Sequence, residues 1–210
     1  MKLYVFPVAP NPTRLRLYLA EKRAGGAEFE LEEVTVNLRE DEQRSPEHLK
    51  RNPLAKLPVL EIEDGVYLTE SGAILEYLEE LTPEPPMLGS TALARARTRE
   101  LDRIIEIGVL RPIAEIVHAT ASPLGLPPNP AVAKYFRKLL PPNLAIVEAR
   151  LADGRPLLMG DWPSIADCSL AAALQFGRMA KVDLDPAFTN IARWDAAFRG
   201  RPSAKQALVI

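Results

Sequence analysis

The pattern of apolar and polar positions in the first 81 residues mixes short strand-like segments with helical stripes. Alternating or β-branched residues predict strands at 2–6, 30–36, 59–62 and 66–68. The Asp64-Gly65 pair between the last two strands favours a two-residue hairpin turn. Apolar residues at helical spacing predict helices at 13–22 and 71–81, and the polar stretch 38–50 predicts a loop with a short helix. The predicted order is βαβ followed by ββα.

The pattern changes after residue 86, where apolar positions recur only at helical spacing. It predicts a long helix at 90–121, broken or kinked near Pro112, and further helices at 129–151, 164–180 and 187–199. Prolines cluster at 7–12, 83–86, 123–130 and 141–142, which predicts joints between elements. We therefore expect an α/β domain at 1–80, a stiff linker at 81–86, and an all-helical bundle domain at 87–210.

Composition and charge narrow the class of protein. The net charge is -2, from 26 basic and 28 acidic side chains, and no dense basic stripe is present, so a nucleic-acid partner is not expected. Cys168 is the only cysteine, which excludes an internal disulfide framework and a Cys-x-x-Cys redox pair. No apolar run is long enough for a bilayer, and the N-terminal segment is unlike a signal peptide. The expected setting is cytoplasmic, without a membrane partner.

The most informative segment is 52–60, Asn-Pro-Leu-Ala-Lys-Leu-Pro-Val-Leu, followed by Glu70-Ser71 at the start of a predicted helix. Pro58 opens an apolar strand, and a cis Leu57–Pro58 bond would turn the backbone N–H and C=O of Leu57 away from the sheet. Those groups could pair with an extended peptide, and a helix N-terminus suits a carboxylate. The pattern predicts a groove for a small acidic peptide.

This constellation resembles the glutathione transferase superfamily, whose members carry an N-P-x-x-x-[VIL]-P-x-L segment and then Glu-Ser opening a helix. A second segment, 160–167, is similar to another landmark of the family, with Ser164 and Asp167 spaced as an N-capping box. The resemblance implies a thioredoxin-like first domain and a helical second domain. It also implies glutathione as cosubstrate, no metal, and a homodimer.

The resemblance assigns glutathione contacts residue by residue. Leu57 should offer its backbone to the cysteinyl unit, with Pro58 fixing the geometry. Ser71 should bind the γ-glutamyl carboxylate, and Glu70 should face the ammonium group. The glycyl carboxylate needs a donor, and the candidates are Lys56, which belongs to the motif itself, and Lys50, Arg39, His48 and, more weakly, Gln43.

The group that activates the thiol departs from the family pattern. The position that holds Ser or Cys in several classes falls on Ala9, whose side chain donates nothing. Three other donors lie near it in sequence. Asn11 offers an amide, Thr13 a hydroxyl that also suits a helix cap, and Tyr4 a phenol on the first strand, where core packing is the competing interpretation. Asn11 also suits a cap or turn.

The electrophile should lie against the long helix of the second domain, together with Ala9. Side chains recur along that helix at helical spacing, and of these Ile107 and Arg111 are the predicted pocket residues, beside Arg103, Glu106, Leu110 and His118. The predicted function is conjugation of the glutathione thiolate to an apolar electrophile. Alternatives are a glutathione-dependent disulfide reductase, an isomerase or ether-cleaving lyase, or a non-catalytic glutathione-binding or scaffold protein, an option raised by Ala9.

Overall fold

The first domain is built on a four-stranded sheet in a computed structural model that describes residues 1–209. The strands are β1 (Lys2–Val5), β2 (Glu32–Thr35), β3 (Val59–Glu63) and β4 (Val66–Thr69). Their spatial order is β2-β1-β3-β4, with β1 and β2 parallel and the other neighbours antiparallel. Alternation along β1 sends Leu3 and Val5 into the main core and Tyr4 to the opposite face, beside Val36 and Val59.

Three helices accompany the sheet: α1 (Pro10–Ala24), α2 (Pro46–Arg51) and α3 (Ser71–Leu81). Helix α3 has the predicted bounds, whereas α1 begins three residues before the predicted Thr13. The early start follows from Pro10 at the first helical position, where proline's fixed φ suits the helix and its missing N–H costs nothing. Asn11 therefore lies inside the first turn, and Ala9 occupies the cap position without a side-chain cap.

The second half is helical. Its elements are α4 (Ala92–Ile105), a π-helical turn (Glu106–Leu110), α5 (Arg111–Ala121), α6 (Pro130–Arg150), α7 (Ile165–Met179), α8 (Thr189–Arg199) and α9 (Pro202–Ala207). Helix α9 was not predicted. The prediction that Pro141 and Pro142 mark a joint was wrong, because both lie inside α6. No helix in residues 1–209 is long and apolar enough to cross a membrane.

The predicted kink near Pro112 is a π-helical turn directly before that residue. Proline has no N–H to bond the carbonyl four residues earlier, so the regular ladder fails at this point. The N–H of Arg111 instead bonds the carbonyl of Glu106, five residues back. The turn widens the helix where it faces the first domain, and this is where the candidate site lies.

The two halves share one core. Helix α1 packs against α7 and α9, and α4 packs against α7. Buried charges cross the same boundary: Arg201 and Ser203 bond the fully buried Glu21, and Arg14 bonds Asp102. The predicted fold class, a thioredoxin-like α/β domain followed by a helical domain, is confirmed.

Candidate functional site

A cleft of about 750 Å³ lies between the first domain and the widened part of the long helix. The first domain contributes the N-terminus of α1, the segment after β2, the loop before β3 and the residue before α3. Its lining residues from the first domain are Ala9, Pro10, Asn11, Leu38, Gln43, Arg44, Ala55, Lys56, Leu57 and Glu70. Those from the second domain are Arg103, Glu106, Ile107, Leu110, Arg111, Ala114, Glu115, His118 and Leu124.

The loop before β3 brings the backbone of Leu57 to this cleft. The Leu57–Pro58 peptide bond is cis. Within residues 1–209, neither the N–H nor the C=O of Leu57 forms a hydrogen bond, although the neighbouring Lys56 carbonyl accepts from His48 and Asn52. Backbone polar groups are normally paired, so the two groups of Leu57 are suited to an extended ligand.

The N-terminus of α3 offers further donors beside the same cleft. Its cap residue is Glu70, which has a φ of 66° and makes no side-chain cap. The N–H of Ser71 and of the following two residues therefore lack intrahelical partners. A non-glycine residue at positive φ costs energy and is typical of functional sites. Free N–H groups and the helix dipole suit a carboxylate at this position.

The side chain of Asn11, which lines the cleft, meets that of the buried Ser71. The Ser71 hydroxyl donates to Asn11 Oδ1 at 3.3 Å, and Asn11 lines the cleft half-buried. Pro10 and Pro12 have no N–H, so the first turn of α1 offers the backbone N–H of Asn11 alone ahead of Thr13, whose N–H bonds Ala9. Asn11 thus carries both donors that α1 can direct at a ligand.

The other two predicted activators have their protons engaged elsewhere. Thr13 is fully buried, and its hydroxyl lies 2.9 Å from the carbonyls of Pro7 and Ala9. The Tyr4 hydroxyl donates to Glu61 at 2.7 Å, on the sheet face away from α1. Burial and this carboxylate raise the pKa of Tyr4 to about 12. Neither residue lines the cleft, so the geometry gives no support to Thr13 or Tyr4 as the thiolate donor.

Both acidic and basic side chains line the side of the cleft that the second domain forms. Arg103 pairs with Glu106 at 2.9 Å, and Arg111 lies 4.0 Å from Glu115. The predicted pocket residues Ala9, Ile107 and Arg111 all line the cleft, and Ile107 is half-exposed. His118 also lines the cleft; its Nδ1 lies 3.1 Å from Ser122 Oγ, and burial lowers its pKa.

Of the candidates for the glycyl carboxylate, Lys56 and Gln43 line the cleft, whereas Lys50 and Arg39 do not. His48 is buried, with its Nε2 on the Lys56 carbonyl, and burial lowers its pKa. Arg44 was not predicted but lines the cleft as well. Arg44 reaches the cleft because the chain at 38–44 forms two short 3₁₀ turns. The sequence contains no periodic pattern that predicts these turns.

Sequence reasoning also missed Arg14, which lies behind Ser71. Its guanidinium is fully buried and donates to Ser71 Oγ at 3.2 Å and to both carboxylate oxygens of Asp102 at 3.0 and 2.8 Å. An arginine inside the apolar stripe of α1 is the one signal that could have indicated a buried ion pair. Within residues 1–209 no cluster of three or more His, Cys, Asp or Glu could hold a metal ion.

The sequence is similar to known proteins over nearly its whole length, and this similarity identifies its family. Sequence models of the glutathione S-transferase N-terminal domain and C-terminal domain match residues 1–80 and 94–194. Glutathione S-transferase 2 of Saccharomyces cerevisiae is 31% identical over 100% of this chain and 90% of its own length. The chain belongs to the glutathione transferase superfamily. Membership supports a glutathione-dependent enzyme.

One further relative and one solved structure are also similar to this chain. Maleylacetoacetate isomerase of Pseudomonas aeruginosa is 32% identical over 99% of this chain and 95% of its own length. The crystal structure of Gtt2 from Saccharomyces cerevisiae matches with a TM-score of 0.88 and 29% identity, covering 99% of this chain and 100% of that one. A relative named as a transferase and one named as an isomerase are thus 31% and 32% identical to this chain.

Proposed function

We propose that the protein is a glutathione transferase that joins the sulfur of glutathione to an apolar electrophile. One observation carries the proposal: the free backbone groups of Leu57 and the uncapped N-terminus of α3 face one cleft. Leu57 would pair with the cysteinyl unit, as in strand addition. Ser71 would bind the γ-glutamyl carboxylate, Glu70 the ammonium group, and Lys56 or Gln43 the glycyl carboxylate.

Asn11 is the proposed donor to the thiolate. Its Oδ1 accepts from Ser71, so its Nδ2 is left to donate to an anion in the cleft. A hydrogen bond to the charged form lowers a thiol's pKa, and the N-terminal end of α1 acts in the same direction. The thiol proton leaves to solvent. The sulfur then forms a bond to the electrophilic carbon, and the leaving group departs with its electron pair.

The electrophile would lie against Ala9, Ile107 and Arg111. Ala9 presents only a methyl group to the cleft, and Ile107 offers exposed apolar surface. The division into residues 1–80 and 87–210, the cytoplasmic setting, the absence of a metal requirement and the homodimer remain predictions.

Isomerisation is the second candidate, the reaction named for the Pseudomonas relative. It is favoured by the guanidinium groups of Arg103 and Arg111 in the cleft, which lie beside Glu106 and Glu115 and suit a substrate that bears a carboxylate. A panel of halides, epoxides, disulfides, aryl ethers and unsaturated carboxylic acids separates the two reactions.

The test of the donor is Asn11→Ala. The bound thiol should lose one hydrogen bond to its charged form, so its pKa should rise by roughly one to two units. Glutathione affinity should change little, because Leu57, Glu70 and Ser71 hold the peptide. The measurement is the ultraviolet absorbance of bound thiolate against pH, beside turnover. Asn190→Ala, which removes an amide bonded to Glu148 outside the cleft, is the matched control.

A bound thiol with the same pKa in Asn11→Ala would refute Asn11 as donor. If wild-type protein binds glutathione without ionising the thiol at neutral pH, the non-catalytic alternative replaces the transferase. If calorimetry detects no glutathione binding at all, the site assignment itself fails.

A further inference from the structure

Two buried polar side chains bond the backbone carbonyl of Lys56, the residue before Leu57. His48 lies on α2 and Asn52 directly follows that helix, and both side chains are buried. His48 Nε2 lies 3.1 Å from the Lys56 oxygen, and Asn52 Nδ2 lies 3.0 Å from it. Neither residue lines the cleft. One partner suffices to satisfy a carbonyl, so the second donor calls for its own explanation.

The direction of both hydrogen bonds is fixed by chemistry. A carbonyl oxygen only accepts, so His48 carries a proton on Nε2 and Asn52 turns its amide nitrogen to Lys56. The N–H of Leu54 donates to Asn52 Oδ1 at 3.0 Å, which requires the same orientation of the amide. Within residues 1–209, His48 Nδ1 is buried without a hydrogen-bond partner. Because such an atom costs free energy, the Nε2 proton explains a histidine here better than packing does.

The peptide unit between Lys56 and Leu57 transmits this orientation toward the cleft. Its peptide bond is trans. In a planar trans unit the C=O and the N–H point in opposite directions, so the two donors on the Lys56 carbonyl turn the Leu57 N–H away from α2. Leu57 lines the cleft, and its N–H has no partner within residues 1–209. The N–H is therefore held ready for a ligand.

We propose that His48 and Asn52 are positioning residues, which fix the Lys56 carbonyl and so direct the Leu57 N–H at the carbonyl of the cysteinyl unit of glutathione. The proposal rests on the proposed function, in which Leu57 pairs with that unit. The backbone of this loop needs such support. Ala55, two residues earlier, has a φ of 53°, a conformation that persists in a residue with a side chain only when its surroundings impose it.

The test compares His48→Phe with His48→Gln in the full-length protein, with glutathione as the probe. Phenylalanine fills a similar space but has no N–H, whereas the glutamine amide nitrogen can take the place of Nε2. The most that His48→Phe can remove is the hydrogen bond between Leu57 and the ligand. Its dissociation constant, measured by calorimetry, should therefore rise about three- to tenfold. His48→Gln should bind within about twofold of the wild type.

Hydrogen exchange of the Leu57 amide, followed by NMR at saturating glutathione, reports the orientation itself. Glutathione should slow this exchange in the wild type and in His48→Gln, and should slow it less in His48→Phe. A side chain that only fills space would change the free energy of unfolding in urea. It would not remove the protection of this one amide at saturation.

Asn52→Asp tests the second donor. The carboxylate keeps an oxygen that accepts from Leu54, but it faces the Lys56 carbonyl with an oxygen instead of an N–H. Binding should weaken to a similar extent as in His48→Phe. The matched control is Asn143→Asp, because Asn143 Nδ2 also donates to a carbonyl, that of Leu139 at 2.7 Å, outside the cleft. It should bind as the wild type does. If His48→Phe does not fold, these two variants give the same comparison.

Each outcome decides the proposal. Wild-type affinity and Leu57 protection in both His48→Phe and Asn52→Asp would overturn the positioning role and leave the glutathione site unaffected. Equal weakening in His48→Phe and His48→Gln would mean that the ring acts by packing, which also overturns it. If glutathione binds the wild type without protecting the Leu57 amide, the backbone contact fails and the positioning role fails with it. If the wild type binds no glutathione, the proposed function itself is wrong, and so is this proposal.

Discussion

Replacing Ser71 with alanine should weaken glutathione binding and leave the fold intact. The hydroxyl lies at the uncapped N-terminus of α3, where a carboxylate would accept a charge-assisted hydrogen bond. Such a bond contributes about 1.5–3 kcal/mol, which corresponds to a roughly 10- to 150-fold rise in the dissociation constant. The backbone N–H groups of the helix remain, so binding should be weakened rather than abolished.

The same substitution should also lower the free energy of unfolding. Nη1 of the buried Arg14 loses its acceptor, and a buried donor without a partner costs about 1–3 kcal/mol. Calorimetric titration with glutathione gives the affinity, and urea unfolding gives the stability. Measuring both separates a binding effect from general destabilisation.

Ser203→Ala is the matched control for Ser71→Ala. Ser203 is also buried and donates to a charged partner, Glu21, at 2.7 Å, but it lies on α9 outside the cleft. It should lose stability to a similar extent and bind glutathione as the wild type does. Unchanged affinity in Ser71→Ala, or equal weakening in Ser203→Ala, would refute the assignment of the carboxylate site.

Four further outcomes are expected. Tyr4→Phe should leave the bound thiol's pKa unchanged, because the phenol proton goes to Glu61; a raised thiol pKa would restore Tyr4 as a candidate. Since the Tyr4 pKa is raised from 10.0 to about 12, the stability contributed by this group should hold below pH 10 and fall as the pH rises through about 12, as alkaline unfolding curves would show. Asp167→Ala should cost more than about 3 kcal/mol in urea unfolding, because the buried N–H groups of Leu158, Ser164 and Trp194 lose their acceptor; a smaller loss would mean that they find other partners. The chain should form a homodimer through α3 and α4, and light scattering that gives a monomer mass at micromolar concentration would contradict this.

The proposed glutathione groove was the part of the candidate site most accessible from the sequence. Leu57, Pro58, Glu70 and Ser71 belong to two short segments, and what each segment does depends on local chemistry: a proline at a strand start and a helix N-terminus. Lys56, Leu57, Glu70 and Asn11 were all predicted, and all line the cleft. The bounds of α3 could be predicted for the same reason, since a 3.6-residue stripe is a local signal.

The surroundings of a side chain were less predictable where they depend on which face of a helix or strand the residue occupies. Tyr4 and Thr13 are near Asn11 in sequence, but alternation along β1 sends Tyr4 to the far face and the turn of α1 buries Thr13. Sequence proximity gave three candidate donors, and of these Asn11 alone lines the cleft, so Asn11 is the donor that we propose. The π-helical turn could be located from Pro112, yet its effect on the cleft depends on the domain that it faces.

The sequence by itself determined most of the elements, the fold class and the two segments proposed to bind the peptide, because periodicity, turn chemistry and proline geometry act over a few residues. Only the tertiary structure decided how the site is supported. Arg14 is 57 residues from Ser71 and 88 from Asp102, and Ser71 is 60 from Asn11. No local pattern encodes such contacts: they arise when the packing of the two domains brings a buried charge, its partner and a hydroxyl within hydrogen-bond distance.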